Sequence, residues 1–214
     1  MAAPKFSKSE AIRFGFEKAK QNWKFFIPVV LIAGLVNFSP RVGPQVNWVP
    51  EQVFDQTMIP TILIAIVLEI AYWLLELIIG MGMIAIALKF VDGKKAQLGD
   101  LIITKPLLNY AIASILYGLI TILGFILLII PGIILATRLQ YYSYLIVEKN
   151  MKPVMALKKS WQITKGATWE LFLFGILLWL INIAGLLALL IGVFISVPTT
   201  MLASAYIYRK LSIQ

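Results

Sequence analysis

Three charged side chains stand inside otherwise uncharged stretches of the sequence, where their chemistry depends on what surrounds them. Glu69 and Glu76 interrupt an apolar run over residues 58–88, and Arg138 is the only charge in residues 107–147. Because the two glutamates are seven residues apart, a helix would place them within roughly 20° of one face. If these apolar stretches span a membrane, their charged groups are expected to face a protein interior or water rather than lipid. These residues form a candidate intramembrane charge network.

Two interpretations of this network are open. In the first, Glu69, Glu76 and Arg138 line a polar pathway or a proton-linked site. In the second, Arg138 forms a buried ion pair between the second and fourth predicted spans, while Glu69 reaches outward to the surface. Both interpretations predict that Arg138 faces the inside of a helix bundle and meets a carboxylate.

Composition predicts the elements that hold these residues. The chain is 60% hydrophobic and 14% charged, with a mean hydropathy of +0.89. Soluble domains average about 45–50% apolar and about 25% charged residues. The excess of apolar residues predicts an integral membrane protein, and uncharged stretches of about 20 residues predict transmembrane helices.

Six transmembrane helices are predicted, and the fold class is all-α. The two longest stretches, residues 107–147 and 171–208, each fit a hairpin, with turns at Pro131-Gly132 and in residues 192–198. The fourth and sixth helices are short, which predicts that neighbouring helices partly shield them. The spans form three hairpins in a single membrane domain, residues 1–214. The predicted helices cover about residues 22–38, 58–90, 106–130, 132–148, 168–191 and 194–209.

The positions of the basic residues predict the orientation. Apart from Arg41 and Arg138, every lysine and arginine lies before the first span, between spans two and three, between spans four and five, or after span six. With six spans, all of these segments are on one side, which the positive-inside rule assigns to the cytoplasm. We therefore expect a multi-pass membrane protein with both termini cytoplasmic. The formal charge of +9 then reflects topology and predicts attraction to anionic inner-leaflet lipids, not nucleic-acid binding.

Two basic segments resemble each other and suggest an internal repeat. Residues 10–26 and 155–172 share a pattern of alanine, lysine and tryptophan that leads into a predicted span. A weaker copy occupies residues 98–114. The sequence thus predicts three units, each an interfacial amphipathic helix followed by a hairpin, at residues 7–92, 97–148 and 153–210. The alternative is that interfacial helices share lysine, tryptophan and apolar residues without common origin.

Local signals place the starts of the first and last amphipathic helices. Ser7 and Glu10 form a capping-box pattern, and Pro153 is a favourable first helical residue. In the first of these helices the predicted apolar face carries Ile12, Phe16, Ala19 and Trp23. On the second span, Gly80 and Gly82 predict close helix contacts.

Residue types that perform most enzyme chemistry are missing from the sequence. The chain has neither cysteine nor histidine, and it contains no Walker loop, metal-ligand spacing or nucleophile elbow. We therefore predict a protein that is not an enzyme, without catalytic residues, metal site or cofactor.

Residues 131–166, "PGIILATRLQYYSYLIVEKNMKPVMALKKSWQITKG", carry a recognisable pattern. The pattern resembles the membrane domain of bacterial glycerophosphoryl diester phosphodiesterases and its stand-alone uncharacterised relatives. The resemblance implies a multi-helix membrane domain of a bacterium or archaeon, so we expect the protein in a prokaryotic cytoplasmic (inner) membrane. The phosphodiesterase activity belongs to a separate soluble barrel, for which this chain has no room. Besides Arg138, Ala156 and Leu157, the matching positions are Pro131, Gly132, Lys158, Ser160, Trp161, Thr164, Lys165 and Gly166.

Two functions follow from these features. The first is a non-enzymatic membrane module that organises lipid or supports a partner, either another membrane protein or a second copy of the chain. The alternative is a small transporter or channel that uses Glu69, Glu76 and Arg138.

Overall fold

The structure is a computed structural model that describes residues 6–38, 58–188 and 192–213, and all regular secondary structure in these residues is helical. This confirms the all-α fold class. The predicted loop before the second span lies largely in residues 39–57, outside the described residues. The helices are α1 (Lys8–Gln21), α2 (Trp23–Phe38), α3 (Met58–Val91), α4 (Leu107–Leu127), α5 (Ile129–Leu139), α6 (Tyr142–Lys149), α7 (Pro153–Ile163), α8 (Thr168–Leu187) and α9 (Val193–Ser212).

Three of these helices are long and apolar enough to cross a membrane. They are Ile62–Val91 within α3, Leu107–Leu127 and Thr168–Leu187. Only 11%, 22% and 17% of their most apolar windows are buried inside the protein, so most residues of these windows are at least partly exposed. The structure thus supports membrane-spanning character for α3, α4 and α8, and the six-span arrangement stays a prediction.

The core of the molecule is built around the last helix, α9. Leu202, Ala203, Ala205, Ile207 and Tyr208 are fully buried along its length. Helices α1, α2, α3 and α8 all pack against α9. The predicted shielding of the last helix by its neighbours is therefore confirmed.

The first helix packs on α9 through small residues, and of its predicted apolar face only Ala19 is buried. Ala11, Gly15 and Ala19 are buried, whereas the side chains of Phe16 and Trp23 are 47% and 51% exposed. A Cβ atom added to Gly15 would lie 2.3 Å from the carbonyl oxygen of Thr199. Small side chains let the two backbones approach, and the larger apolar side chains remain outside the contact.

The turn between α4 and α5 lies earlier than predicted. Leu128 is extended (φ −167°, ψ 156°), and Pro131 is the third residue of α5, where a helix needs no amide donor. The Tyr117 hydroxyl donates to the Ala136 carbonyl across the pair at 3.3 Å. The predicted fourth helix is also broken, since α5 ends at Leu139 and α6 begins at Tyr142.

The predicted amphipathic helix of the middle unit is replaced by a 3₁₀ turn, Leu98–Leu101. The turn cannot continue into α4, because Pro106 lacks a backbone donor and disfavours helical geometry at the residue before it. The turn packs against α3, where a Cβ atom on Gly82 would lie 2.1 Å from the Leu101 carbonyl oxygen. The predicted close contact at Gly82 is therefore confirmed, and its partner is this turn.

Candidate functional site

The two glutamates of α3 have no partner among the described residues. Glu69 and Glu76 are half-buried, and neither forms an ion pair or a hydrogen bond within the described ranges. Tyr72 lies between them on the same helix face, and its hydroxyl is buried without a hydrogen-bond partner. The face is polar, but no cation of the described residues meets it.

Arg138 does not meet a carboxylate, and this corrects the predicted charge network. One of its Nη atoms donates to the carbonyl oxygen of Trp161 at 2.8 Å. Its guanidinium carbon lies 3.4 Å from the centroid of the Trp161 ring, in a cation–π contact. Its Nε atom is buried without a hydrogen-bond partner. The structure thus brings Arg138 to α7 and leaves Glu69 and Glu76 apart from it.

The backbone of Arg138 is held as firmly as its side chain. The Ser160 hydroxyl donates to the Arg138 carbonyl oxygen at 2.8 Å and accepts from the Tyr141 amide at 3.1 Å. The Thr164 hydroxyl lies 3.1 Å from the same carbonyl oxygen. Ser160 and Thr164 are fully buried, so they satisfy backbone groups that the break between α5 and α6 leaves open. Together with Trp161, which contacts the Arg138 side chain, these residues form what we call the α5–α7 joint: Arg138, Tyr141, Ser160, Trp161 and Thr164.

Chain reversal after α6 explains why α7 reaches this break. Asn150 adopts a left-handed conformation (φ 48°) and ends α6, and Pro153 begins α7 as predicted. Helix α7 then packs against α6, α5 and α4. A straight helix over residues 132–148 is the basis for expecting Arg138 opposite a carboxylate, and the break at residues 140–141 between α5 and α6 invalidates it.

The other residues of the family-like motif lie in different places. Lys158 and Lys165 are exposed, and Gly166 has a left-handed conformation (φ 86°) in the turn before α8. Pro131 and Gly132 lie in the first turn of α5, where Gly132 packs against the ring of Phe125. The motif therefore combines a helix contact, a joint and an exposed basic face, and it does not converge on one pocket.

A cluster that the sequence interpretation missed joins the ends of three helices. Arg209, near the end of α9, donates from Nε and Nη2 to the two oxygens of Asp92 at 2.8 and 2.7 Å. Its Nη1 atom donates to Glu148, which also accepts from the Tyr208 hydroxyl at 2.5 Å. Carboxylates after α3 and at the end of α6 are unfavourable beside helix C-termini, and the guanidinium offsets this. We call this cluster the Arg209 clamp.

A signal for the clamp is present in the sequence. An acidic residue follows the second predicted span in "FVD" (90–92), another ends the fourth in "IVE" (146–148), and an arginine ends the sixth in "IYR" (207–209). Parallel helix ends with complementary charges on one side of a bundle are candidates for pairing. The signal becomes visible only when the three ends are compared with each other.

The end of the bundle at the Arg209 clamp is rich in lysine, and we call it the lysine-rich end. Within three residues of a clamp residue along the chain lie Lys89, Lys94, Lys95, Lys149 and Lys210. Here the carboxylates pair with Arg209, and Lys89 pairs with Asp100 at 2.6 Å. Apart from Lys89 and Lys94, no described lysine has a carboxylate within 4.0 Å. No group of three histidine, cysteine, aspartate or glutamate side chains in the described ranges is arranged to hold a metal ion. Most lysines of this end therefore carry a positive charge that no described carboxylate within 4.0 Å balances.

Comparison with known proteins identifies a family and distant relatives. The family model described as "Domain of unknown function (DUF7847)" matches residues 66–210. The uncharacterised protein Rv2560 of Mycobacterium tuberculosis strain H37Rv is 25% identical over 187 residues, which cover 85% of this chain and 56% of that protein. The uncharacterised protein Mb2590 of Mycobacterium bovis matches with the same identity and coverage. No solved structure matches the chain.

The matched region contains most of the features described above. It begins within α3 and includes the α5–α7 joint and the Arg209 clamp, but it excludes α1 and α2. The chain spans about half the length of the curated relatives it matches. The resemblance to the phosphodiesterase membrane domains stays a prediction.

Proposed function

The chain belongs to the DUF7847 family, and we propose that it is a non-enzymatic, multi-pass membrane protein that organises anionic lipid around its lysine-rich end. The proposal includes six spans arranged as three hairpins, with this end and both termini on the cytoplasmic side of a prokaryotic inner membrane. The observation that carries it is the excess of unpaired lysines at one end of a bundle whose long helices expose apolar surface.

Exposed apolar residues support the membrane part of this proposal. Residues 126–130, at the turn between α4 and α5, are each 70–75% exposed, and all five are leucine or isoleucine. In water such a patch is unfavourable by roughly 25 cal/mol for each Å² of apolar surface. Trp23 and Trp169 are exposed in the first turns of α2 and α8, as expected for anchors at a membrane interface.

Charge supports the lipid part. Each lysine or arginine near an anionic membrane surface contributes roughly 1 kcal/mol of attraction. At the lysine-rich end Arg209 engages Asp92 and Glu148, and Lys89 engages Asp100. The remaining lysines are therefore free to attract phosphate groups of the inner leaflet.

Lipid selectivity at the protein surface is the direct test. The protein is reconstituted in vesicles of phosphatidylcholine and phosphatidylglycerol with a trace of spin-labelled lipid of either kind. We expect electron paramagnetic resonance to show that the motionally restricted lipid is enriched in phosphatidylglycerol, and that added salt reduces the enrichment. Equal association of the two lipids would refute the proposal.

The contacts of Arg138 weaken the argument for the alternative function, a transporter or channel. A shared pathway needs Glu69, Glu76 and Arg138 near one another, but Arg138 is engaged with Trp161. A flux assay in liposomes with Glu76→Gln remains its test, because loss of a specific flux with intact folding would restore it.

A further inference from the structure

A groove at the lysine-rich end is lined by both lysine and phenylalanine side chains. It lies between the end of α1, the start of α2 and the turn after α3, and its volume is about 430 Å³. Lys18, Lys94 and Lys95 line it, and Phe25 and Phe90 form its apolar part. We call it the three-lysine groove.

The backbone that carries these lysines is fixed by specific contacts. Gly93 ends α3 in a left-handed conformation (φ 69°), and the Lys94 amide donates to the Lys89 carbonyl oxygen at 2.8 Å. This is the hydrogen bond of a glycine helix cap. On the other wall, the Asn22 side chain donates to the Lys18 carbonyl oxygen at 2.9 Å and ends α1. The three cations therefore project from two ordered helix ends.

The aromatic residues of the groove are also held in place. The Phe25 and Phe90 rings lie 5.7 Å apart between centroids, and Phe26, which is fully buried, lies 5.0 Å from Phe90. This arrangement joins α2 to the end of α3. The groove thus offers a rigid apolar surface directly beside the lysines.

The charge of the groove is positive and unbalanced. No carboxylate lines it. Asp92, the described carboxylate that lies within 4.0 Å of the Lys94 ammonium, accepts two hydrogen bonds from Arg209. Lysines near helix C-termini are common on their own, but here three lysines from two separate segments line one groove.

Two other grooves of the described structure lack this combination. The groove between α1 and α8, about 780 Å³, contains Glu170 beside its cations, and its Arg13 is paired with Glu17. The groove between α4, α5 and α8, about 360 Å³, has no charged residue in its lining.

We propose that the three-lysine groove binds the headgroup of one anionic phospholipid. The lipid phosphate lies among Lys18, Lys94 and Lys95, and the glycerol and the first chain carbons lie over Phe25 and Phe90. A phospholipid fits better than a soluble phosphate compound, because the apolar wall needs an apolar partner and exposed Trp23 places the groove beside the membrane interface. The site deepens the proposed function and rests on it.

Native mass spectrometry of the full chain in a neutral detergent tests the site. Phosphatidylglycerol is titrated against the wild type and against Lys18→Gln/Lys94→Gln/Lys95→Gln, and the dissociation constant of the first bound lipid is measured. Since each lysine beside an anionic surface contributes about a fivefold factor, we expect binding to the variant to be weaker by about a hundredfold. Phosphatidylcholine should bind both proteins equally weakly.

A matched variant separates a site from general charge. Lys158→Gln/Lys159→Gln/Lys165→Gln removes the same charge from exposed positions on and just after α7, outside the groove. We expect it to keep the first lipid within about threefold, because distant charges are screened. Thermal unfolding of both variants checks that they fold.

The possible outcomes distinguish the site from the wider proposal. Equal loss of binding in both triple variants, or no loss in either, would overturn the groove while leaving a general attraction to anionic lipid intact. Displacement of the lipid by an excess of inorganic phosphate would overturn the choice of a lipid over a soluble phosphate compound. If the wild type showed no preference for phosphatidylglycerol here or in the spin-label experiment, the proposed function itself would fail.

Discussion

The side chain of Ser160 contacts two backbone groups at the break between α5 and α6, and one of them, the Arg138 carbonyl oxygen, also accepts from Thr164. Ser160 is fully buried, donates to the Arg138 carbonyl oxygen and accepts from the Tyr141 amide. Ser160→Ala would leave at least the Tyr141 amide unsatisfied, which costs about 2–3 kcal/mol. Chemical unfolding in detergent should show this loss, whereas the exposed Ser9→Ala should change stability by less than about 0.5 kcal/mol. Equal effects of the two substitutions would contradict the assigned role.

Asp100 makes stability depend on pH. Although burial opposes it, the hydrogen bonds from Lys89 and the Gln97 amide, at 2.6 and 2.7 Å, lower the pKa of Asp100 below its ordinary value of 3.8. A carboxyl group whose pKa is lowered by folding stabilises the fold above its unfolded pKa, and this contribution disappears as pH falls through the folded pKa.

We therefore expect the free energy of unfolding to decrease when the pH is lowered below about 4. Asp100→Asn should cost about 1 kcal/mol at neutral pH and should reduce the decline at acidic pH. Glu17→Gln is the control, since its ion pair with Arg13 is exposed. An unchanged acid profile in Asp100→Asn would exclude this origin.

At the level of single residues, local signals in the sequence were sufficient where the interaction is local. Ser7 caps α1 by accepting from the Glu10 amide at 3.2 Å, as predicted, and Pro153 begins α7. The Glu10 carboxylate instead accepts from the Tyr206 hydroxyl of α9. Signals of this kind do not reveal contacts between distant parts of the chain. Arg138 was predicted wrongly because its partner Trp161 is 23 residues away along the chain.

At the level of elements, the approach of α1 to α9 depends on one missing side chain. Because a Cβ atom on Gly15 would lie 2.3 Å from the Thr199 carbonyl oxygen, Gly15→Ala must push the helices apart, at a cost of about 1–3 kcal/mol. Gly34→Ala is the control, since nothing lies within 4 Å of its added Cβ atom.

Cysteine labelling can detect this separation, because the chain has no native cysteine. A single Ala19→Cys, placed at a buried position of α1, should react slowly with maleimide in the wild-type background and faster with Gly15→Ala. Phe16→Cys is exposed and should react similarly in both. No increase at position 19 would mean that α1 does not depend on this contact.

Helix positions were predicted well, and helix directions were not. The predicted spans at about 22–38 and 58–90 agree closely with α2 and α3, because apolar length is a property of the sequence alone. The break at residues 140–141 and the return of α7 carry no comparable signal. They depend on Ser160 and Thr164, whose short hydroxyl side chains are ordinary in any polar helix.

At the level of the whole molecule, the Arg209 clamp joins three helix ends that are far apart in sequence. Arg209→Gln would leave Asp92 and Glu148 close together without the guanidinium that bridges them. Since these side chains are only 27% and 22% exposed, we expect a loss of about 2 kcal/mol in the free energy of unfolding. Adding Asp92→Asn and Glu148→Gln to Arg209→Gln should restore part of this stability, because the repulsion is removed. A triple variant less stable than the single variant would contradict this account.

The packing of the elements follows one rule around the molecule. The 3₁₀ turn packs on α3, α7 packs on α6, and α1 packs on α9. The predicted units are residues 7–92, 97–148 and 153–210. The first element of the second and of the third unit packs on the last helix of the unit before it. The first element of the first unit, α1, packs on the last helix of the third, so the three units form a ring. This arrangement supports the proposal of a threefold repeat, and it explains why α9 is surrounded while α4 and α8 remain largely exposed.

The same ring predicts which chain segments share one side of the membrane. The ends of α3, α6 and α9 meet at the Arg209 clamp, so single cysteines at Lys95, Lys149 and Ser212 should all react with an impermeant maleimide in inside-out vesicles and not in right-side-out ones. A cysteine at Leu128, in the exposed apolar turn, should stay unlabelled from the cytoplasmic side. If cysteines at these three positions were labelled from opposite sides, the six-span arrangement would be excluded. The ends of α3, α6 and α9 can lie together only if an even number of membrane crossings separates them.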